Sequence, residues 1–173
     1  IYVVHKTTLY SVYANGTISS LGTLVSTEGR VYFSDNGTQL MIVDGPYGYI
    51  WNTSTLAFAQ IVDVDFPGGS TVTFLNGRFL VNKPSSSQIF FSGLYDGTSW
   101  DALDYFTAES DPDNVVAIIV ENGQLVIYGE KTTEFWADSG ATDIPYARVG
   151  SSAIEWGLAA RETLCKYMDS LAF

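Results

Sequence analysis

This sequence contains few of the side chains and motifs that enzymes use for catalysis. His5 is the only histidine, so a Ser-His-Asp triad would have to use it as the general base. No serine lies in a Gly-x-Ser-x-Gly turn, which is where α/β-hydrolases expose their nucleophile. The glycine-rich stretches 45–48 and 67–69 lack the Lys-Ser/Thr pair of a phosphate-binding loop. We therefore expect turns there, and we predict no catalytic residue and no cofactor-binding residue.

Metal ligands are equally sparse. Cys165 is the only cysteine, which excludes an internal disulfide and a cysteine-based zinc site, and we expect a small buried side chain. Carboxylates concentrate in the segment 109–114, which reads Glu109-Ser110-Asp111-Pro112-Asp113-Asn114. Three oxygen donors there would suit Ca²⁺, but the Asp-x-Asp-x-Asp-Gly frame is missing. A solvated loop is the favoured interpretation, and no metal site is predicted.

A second acidic group consists of Asp63 and Asp65, separated by one residue. On a β-strand this spacing would place both carboxylates on one face. Paired carboxylates are the apparatus of glycoside hydrolysis, so a hydrolase is one alternative. The stretch from Ser92 to Trp100 also approaches a sialidase-type Ser-x-Asp-x-Gly-x-x-Trp box, but Asp96 comes four positions after the serine instead of two.

Tryptophan and asparagine side chains allow two further binding interpretations. Tryptophans recur about once per 40 residues and could form a carbohydrate platform, but we favour wedges between packed sheets. They are Trp51, Trp100, Trp136 and Trp156. Three Asn-x-Ser/Thr triplets begin at Asn15, Asn36 and Asn52 and could accept glycans. We favour turns, because the first two triplets contain Asn-Gly.

Length and charge narrow the function classes further. The 173 residues suffice for one sizeable core, and 14% aromatic content with 16% charged residues excludes disorder as the main state. A formal charge of −11 repels phosphate, so direct nucleic-acid binding is not expected. No apolar run approaches the ~18 residues of a membrane helix. The first residue is Ile1 and the last is Phe173, so we expect both ends to be cut from a longer chain.

The elements that position these side chains follow from repeated turns. Asn-Gly pairs at 15–16, 36–37, 76–77 and 122–123 are each flanked by β-branched or aromatic residues. This pattern predicts β-hairpins with two-residue turns of positive φ. The last three pairs are spaced by 40 and then 46 residues, and Lys6-Thr7-Thr8 is echoed at Lys131-Thr132-Thr133. The chain therefore repeats with a period of about 40–46 residues.

Each repeat contains up to four short strands. We predict strands at 31–33, 39–43, 47–51 and 56–61, at 71–75, 78–82, 88–92 and 103–106, and at 115–120, 124–128, 133–137 and 147–149. Several are apolar on both faces, which is typical of strands sandwiched between two sheets. The predicted fold class is all-β, with four-stranded antiparallel β-propeller blades forming an arc of a larger propeller, and a β-sandwich is the alternative. One or two helical turns are expected within 154–164.

The blade-equivalents are predicted at 1–28, 29–66, 67–112 and 113–152, with the start of the next at 153–173. Terminal blades without neighbours would expose apolar sheet faces, so we also expect strand swapping or self-association.

Three ordered motifs resemble a known family. They are Phe90–Glu109 (FFSGLYDGTSWDALDYFTAE), Gly129–Trp136 (GEKTTEFW) followed by Ile144–Val149 (IPYARV), and Ala153–Ala160 (AIEWGLAA). Together they resemble the packaged-DNA stabilisation proteins, or tail hubs, of short-tailed bacteriophages.

The resemblance implies a non-enzymatic virion structural protein, made in the host cytoplasm, that seals the head-to-tail DNA channel and stabilises packaged DNA. It implies a β-propeller, a homo-oligomeric ring, and contacts with portal and adaptor ring proteins, a tail needle and a tailspike. No specific nucleic-acid binding and no membrane spanning are implied. A propeller glycoside hydrolase and a carbohydrate-binding propeller are the alternatives.

Overall fold

The computed structural model describes residues 1–108, 113–150, 153–167 and 170–172. Strands dominate these residues, and the only helical element among them is a 3-10 turn at Arg161–Thr163. The strands are Tyr2–His5 (β1), Thr8–Val12 (β2), Ile18–Thr23 (β3), Tyr32–Asp35 (β4), Gln39–Val43 (β5), Gly48–Asn52 (β6), Ala57–Gln60 (β7), Val72–Leu75 (β8), Arg78–Asn82 (β9), Gln88–Phe91 (β10), Tyr105–Thr107 (β11), Val115–Glu121 (β12), Gln124–Gly129 (β13), Thr133–Asp138 (β14), Tyr146–Arg148 (β15), Cys165–Tyr167 (β16) and Ser170–Ala172 (β17).

The strands form five antiparallel meanders in chain order. Sheet 1 contains β1–β3, sheet 2 β4–β7, sheet 3 β8–β11, sheet 4 β12–β15 and sheet 5 β16–β17. Every strand pairs with its neighbour in sequence, as hairpin connections require. Sheets 1 to 5 lie within the five predicted blade-equivalents in turn, although sheet 1 has three strands.

Two of the four predicted Asn-Gly turns have the expected backbone. Asn76-Gly77 and Asn122-Gly123 place both residues at positive φ, which matches the right-handed twist of the flanking strands. In the other two pairs only Gly16 and Gly37 have positive φ, so the prediction for the asparagines was wrong. There Asn15 and Asn36 accept backbone N–H bonds from residues further along, as Asx turns do.

Sheets 1 to 4 are stacked face to face in succession. Strand β4 contacts β8, and β8 contacts β12, so the first strands of sheets 2, 3 and 4 lie innermost. Successive residues of β5 enter different cores: Leu40 and Ile42 face sheet 1, whereas Met41 and Val43 face sheet 3. This explains why the strand is apolar on both faces. The fan of sheets confirms the propeller arc, and a two-layer sandwich does not describe it.

Sheet 1 has the second, third and fourth strands of a blade. Its last strand, β3, contacts β7, which is the outermost strand of sheet 2. The echo noted in the sequence agrees, because Thr8 begins β2 as Thr133 begins β14, the third strand of sheet 4. The innermost position of sheet 1, beside β1, is therefore not filled by the described residues.

One or two helical turns were expected within 154–164, and the structure has a single 3-10 turn there, at Arg161–Thr163. Residues 154–160 run in non-helical conformation, and only Arg161–Thr163 form a 3-10 turn. The reason is tertiary: Ile154 and Thr133 exchange backbone hydrogen bonds of 2.8 and 3.0 Å, which an α-helix would not allow. Among the residues that the structure covers, no helix is long and apolar enough to cross a membrane.

Candidate assembly surfaces

The single histidine and the single cysteine of the sequence lie in different terminal sheets. His5 ends β1 and is exposed, and Cys165 begins β16 in sheet 5. Cys165 is also exposed, so the expectation of a buried side chain was wrong. It lines the cleft between the innermost strands β4, β8 and β12.

The acidic pair Asp63 and Asp65 lies in a turn after β7 and not on a strand, so the prediction of a shared strand face was wrong. The Asp63 carboxylate accepts the N–H of Asp65 at 3.0 Å and the N–H of Trp100, from the next sheet, also at 3.0 Å. These two backbone bonds hold the pKa of Asp63 below its ordinary value. The carboxylate thus connects sheet 2 to sheet 3 through hydrogen bonds.

The acidic segment 109–114 can be judged only in part, because residues 109–112 lie outside the described residues. Asp113 is buried, and its carboxylate accepts the backbone N–H of Lys131 at 2.7 Å. That carboxylate therefore stabilises the β13–β14 turn through a hydrogen bond. Among the side chains that the structure describes, no three His, Cys, Asp or Glu residues form a group able to hold a metal ion.

Three of the four tryptophans lie between sheets. Trp51 is in the core between sheets 1 and 2, Trp100 between sheets 2 and 3, and Trp136 between sheets 3 and 4. Trp156 departs from the expected wedge position, since 75% of its surface is exposed. Its neighbour Ile154 pairs with Thr133 of sheet 4.

The first two resemblance motifs meet between sheets 3 and 4. Phe91 and Phe106 come from the first motif, and Trp136 and Tyr146 come from the second. The ring of Phe106 lies 4.6 Å from Trp136 and 5.6 Å from Tyr146, centroid to centroid. The Tyr146 hydroxyl donates to the carbonyl of Leu75 at 3.1 Å, and burial raises its pKa. The shared motif residues therefore build an intersheet core.

A buried polar network, missed in the sequence, joins the same two sheets near the axis. Asn82 is fully buried, and its carboxamide oxygen accepts the N–H and the hydroxyl of Thr71 at 2.8 and 2.7 Å. Its nitrogen donates to the carbonyl of Val115 at 3.0 Å. The Thr71 hydroxyl in turn accepts the N–H of Ile118 at 3.0 Å. The only sequence signal is the asparagine that ends β9, directly after the apolar run Phe79-Leu80-Val81.

The third motif packs on the second. The Thr133 hydroxyl donates to the carbonyl of Trp156 at 2.7 Å, and the N–H of Leu158 donates to the carbonyl of Gly129 at 2.9 Å. Gly157 passes so close to the β13–β14 turn that a Cβ atom there would overlap the backbone of Glu130. A glycine is therefore required by space at this crossing.

The innermost strands surround an axial cleft of about 540 Å³. It is lined by residues 32–35 of sheet 2, 71–74 of sheet 3, 117–120 of sheet 4, and Arg161 with 164–166. Lys166 lies 3.2 Å from the carboxylate of Glu121. The cleft has the volume of a small-molecule pocket, and its lining includes the ionisable side chains of Asp35, Arg161, Cys165 and Lys166.

Comparisons with known proteins agree with this architecture. A family model described as bacteriophage P22 Gp10, β-propeller, matches residues 1–173. The tail hub protein gp10 of Salmonella phage P22 is 31% identical over 108 residues, which cover 59% of this chain and 22% of the relative. The chain thus matches about a fifth of that relative's length.

A designed protein, Ika4, has a similar fold. Its crystal structure superposes with a TM-score of 0.56 at 10% identity, covering 88% of this chain and 89% of Ika4. This likeness concerns the fold alone. The family match across every residue confirms the resemblance drawn from the three motifs: the chain belongs to the bacteriophage P22 Gp10 family of β-propeller proteins.

Proposed function

We propose that this chain is a rigid, non-enzymatic segment of a phage tail hub that helps to seal the head-to-tail DNA channel and retain packaged DNA. The observation that carries the proposal is the set of three consecutive intersheet cores, combined with the family match across all residues. The buried side chains of Asn82 and Tyr146 form hydrogen bonds between sheet 3 and sheet 4.

The electrostatics suit a wall beside DNA. A formal charge of −11 repels the phosphate backbone, so the surface would let a duplex slide without gripping it. Portal and adaptor proteins, a tail needle and a tailspike are the proposed neighbours, within a homo-oligomeric ring.

The rival functions draw less support. In the stretch that approaches a sialidase box, the Ser92 hydroxyl is fully buried between the N–H of Phe79 and the carbonyl of Gly93. The Asp96 carboxylate accepts hydrogen bonds from the side chains of Thr98 and Gln39. Three tryptophans that would form a carbohydrate platform are inside intersheet cores.

Charge reversal in the phage tests the sealing role. Glu28, Asp143 and Glu155 are exposed, and replacing all three by lysine moves the formal charge of this chain from −11 to −5, two units per site. We expect altered retention of packaged DNA or slower ejection in phage carrying the lysine variant, because the wall would then attract phosphate. The matched control replaces the same residues by Gln, Asn and Gln. Normal retention and ejection of the lysine variant, with normal tail assembly, would refute the channel-wall role.

A further inference from the structure

The β4–β5 turn contains an Asn-Gly pair with an unusual set of hydrogen bonds. Asn36 and Gly37 follow directly after β4, which ends at the exposed residue Asp35. An asparagine before a glycine can react with itself, because the glycine nitrogen is held where it can close a five-membered ring on the side-chain carboxamide. Such a ring closure is accelerated by a base for the N–H proton and by donors to the oxygen that becomes negative.

Asp35 provides a base at the attacking nitrogen. The backbone N–H of Gly37 donates to the Asp35 carboxylate at 3.1 Å. This hydrogen bond polarises the N–H group and gives its proton an acceptor as the nitrogen attacks. The space around Gly37 is open, since a Cβ atom placed there would have no neighbouring heavy atom within 4 Å. The nucleophile therefore has a base beside it and room to move.

The carboxamide oxygen of Asn36 is surrounded by hydrogen-bond donors. It accepts the N–H of Gln39 at 2.7 Å, the N–H of Thr38 at 3.0 Å and the Thr38 hydroxyl at 3.1 Å. Negative charge develops on this oxygen when a nucleophile attacks the carboxamide carbon. The three donors stabilise that charge as the donors of an oxyanion hole do.

Sheet 2 fixes the conformation of this turn. The N–H of Thr53 donates to the carbonyl of Thr38 at 2.8 Å, and the Thr53 hydroxyl donates to the Gly37 carbonyl at 3.3 Å. The N–H of Asn36 donates to the carbonyl of Gln39 at 3.1 Å. Reacting groups that are already fixed lose little further freedom on the way to the transition state.

The Asn-Gly pair at 15–16 has only part of this arrangement. The Asn15 oxygen accepts the N–H of Thr17 at 3.0 Å. The N–H of Gly16, however, donates to the carbonyl of Tyr13 at 3.0 Å, and a carbonyl oxygen is not a base of useful strength. The pair at 15–16 therefore lacks a base at its nitrogen.

The remaining two pairs also lack the combination. The carboxamide nitrogen of Asn76 donates to the Asp138 carboxylate at 2.7 Å, so that carboxylate binds the leaving group and not the nucleophile. Asn122 follows Glu121, whose carboxylate lies 3.2 Å from the ammonium group of Lys166. Among the described residues, the β4–β5 turn is therefore the one Asn-Gly turn with both a base and several oxygen donors in place.

We propose that Asn36 deamidates itself in the folded protein. The Gly37 nitrogen attacks the Asn36 carboxamide carbon and passes its proton to Asp35, so that a C–N bond forms. The tetrahedral intermediate expels its NH₂ group, which takes up a proton and leaves as ammonia, and a succinimide ring remains. Water reaches this half-exposed turn and opens the ring at either carbonyl, which gives aspartate or isoaspartate. The net reaction exchanges one NH₂ group for one OH group, and it does not depend on the virion role.

The modification changes a contact between sheets 2 and 3. The Asn36 nitrogen donates to the carbonyl of Tyr95, in the connection after β10, across 3.4 Å. An aspartate carboxylate has acceptors alone and would repel that carbonyl, and isoaspartate also adds a methylene group to the main chain. Deamidation therefore removes a hydrogen bond between neighbouring sheets and adds one negative charge to a chain of formal charge −11.

Peptide mapping by mass spectrometry follows all four Asn-Gly pairs in one sample. The chain is incubated at pH 7.5, and aspartate and isoaspartate are quantified at each pair over time. We expect Asn36 to be converted at least about threefold faster than each of the other three asparagines. In urea the four rates should converge, because the turn is lost and every asparagine still precedes a glycine. Another pair reacting as fast as Asn36 in the folded chain, or a lead of Asn36 that persists in urea, would overturn the proposal.

Two substitutions test the base and the donors separately. Asp35→Asn keeps an oxygen that accepts the glycine N–H but removes its basicity, and Thr38→Val removes the hydroxyl donor while keeping the β-branched shape. Each should slow the conversion of Asn36 by about threefold or more. Glu121→Gln is the matched control, because it neutralises the residue before Asn122 and should leave both conversion rates unchanged. Both substituted residues of the β4–β5 turn are exposed, so the variants should fold, which circular dichroism checks. An unchanged rate at Asn36 in either folded variant would refute the proposed chemistry.

Discussion

The side-chain nitrogen of Asn82 donates a hydrogen bond to the carbonyl oxygen of Val115 across 3.0 Å, joining sheet 3 to sheet 4 in the interior. The same carboxamide fixes Thr71, whose hydroxyl reaches the N–H of Ile118. Every polar atom named here has a hydrogen-bond partner. The network therefore stabilises the two sheets in one specific alignment. Its disruption would leave several buried groups unsatisfied at once.

We expect Asn82→Ala to lower the free energy of unfolding by about 2–4 kcal/mol, since it removes one buried acceptor and one donor and leaves a cavity. Urea denaturation followed by tryptophan fluorescence measures this. Asn114→Ala is the matched control, because Asn114 is exposed and its amide lies 3.4 Å from Glu130, and it should change stability by less than about 0.5 kcal/mol. Equal effects of the two substitutions would show that the network contributes nothing specific.

A methyl group at residue 157 should displace the segment that crosses the β13–β14 turn. Gly157→Ala forces the backbone away from Glu130, and overpacking of this kind costs about 1–3 kcal/mol. We expect faster hydrogen exchange at the amides of Ile154 and Leu158, which bond to Thr133 and Gly129. Ala159→Ser, two residues further along at an exposed position, serves as the control. Unchanged exchange in the glycine variant would contradict the close crossing.

Stability should fall at high pH through Tyr146. Burial raises the pKa of its phenol above the value of about 10 in the unfolded chain. The folded state therefore holds the proton more tightly, so the contribution is complete below pH 10 and is lost as the pH rises from there toward the folded pKa.

Tyr146→Phe removes both the titration and the bond to Leu75, so it should be less stable by about 1–2 kcal/mol at pH 8 and should lose stability less steeply above pH 10. Urea midpoints at pH 8, 9, 10 and 11 measure both effects. Tyr13→Phe is the control, because Tyr13 is 57% exposed. Parallel pH profiles for the Tyr146 variant and the unsubstituted chain would show that this phenol does not titrate differently on folding.

Quenching should divide the tryptophans into two classes. Trp51, Trp100 and Trp136 are each about 5–6% exposed, whereas Trp156 is 75% exposed. Iodide should therefore quench Trp156 almost alone, and Trp156→Phe should abolish the accessible fraction. Trp100→Phe is the comparison, which should leave that fraction in place. An accessible fraction that survives Trp156→Phe would mean that a second tryptophan is outside the intersheet cores.

Several strands could be predicted from sequence because their determinants are local. Gln39–Val43 and Arg78–Asn82 were predicted to the residue, since turn residues bound them and apolar side chains fill them on both faces. The turn at Asn76-Gly77 was likewise predictable, because asparagine and glycine accept the positive φ that a tight hairpin requires. Repetition of these local signals every 40–46 residues was enough to indicate a propeller.

Tertiary structure decided everything that depends on which sheet is next to which. The sequence patterns of the strands are alike, so they could not show that β1 takes the second position of its sheet with no innermost strand beside it among the described residues. They also could not show that Trp156 is exposed while the other three tryptophans are buried. Asp63 was placed on a strand, yet its carboxylate holds Trp100 from a turn. Such contacts join residues 30 to 70 positions apart, so short-range propensity contains no record of them, whereas hairpins close over two to four residues and are encoded where they form.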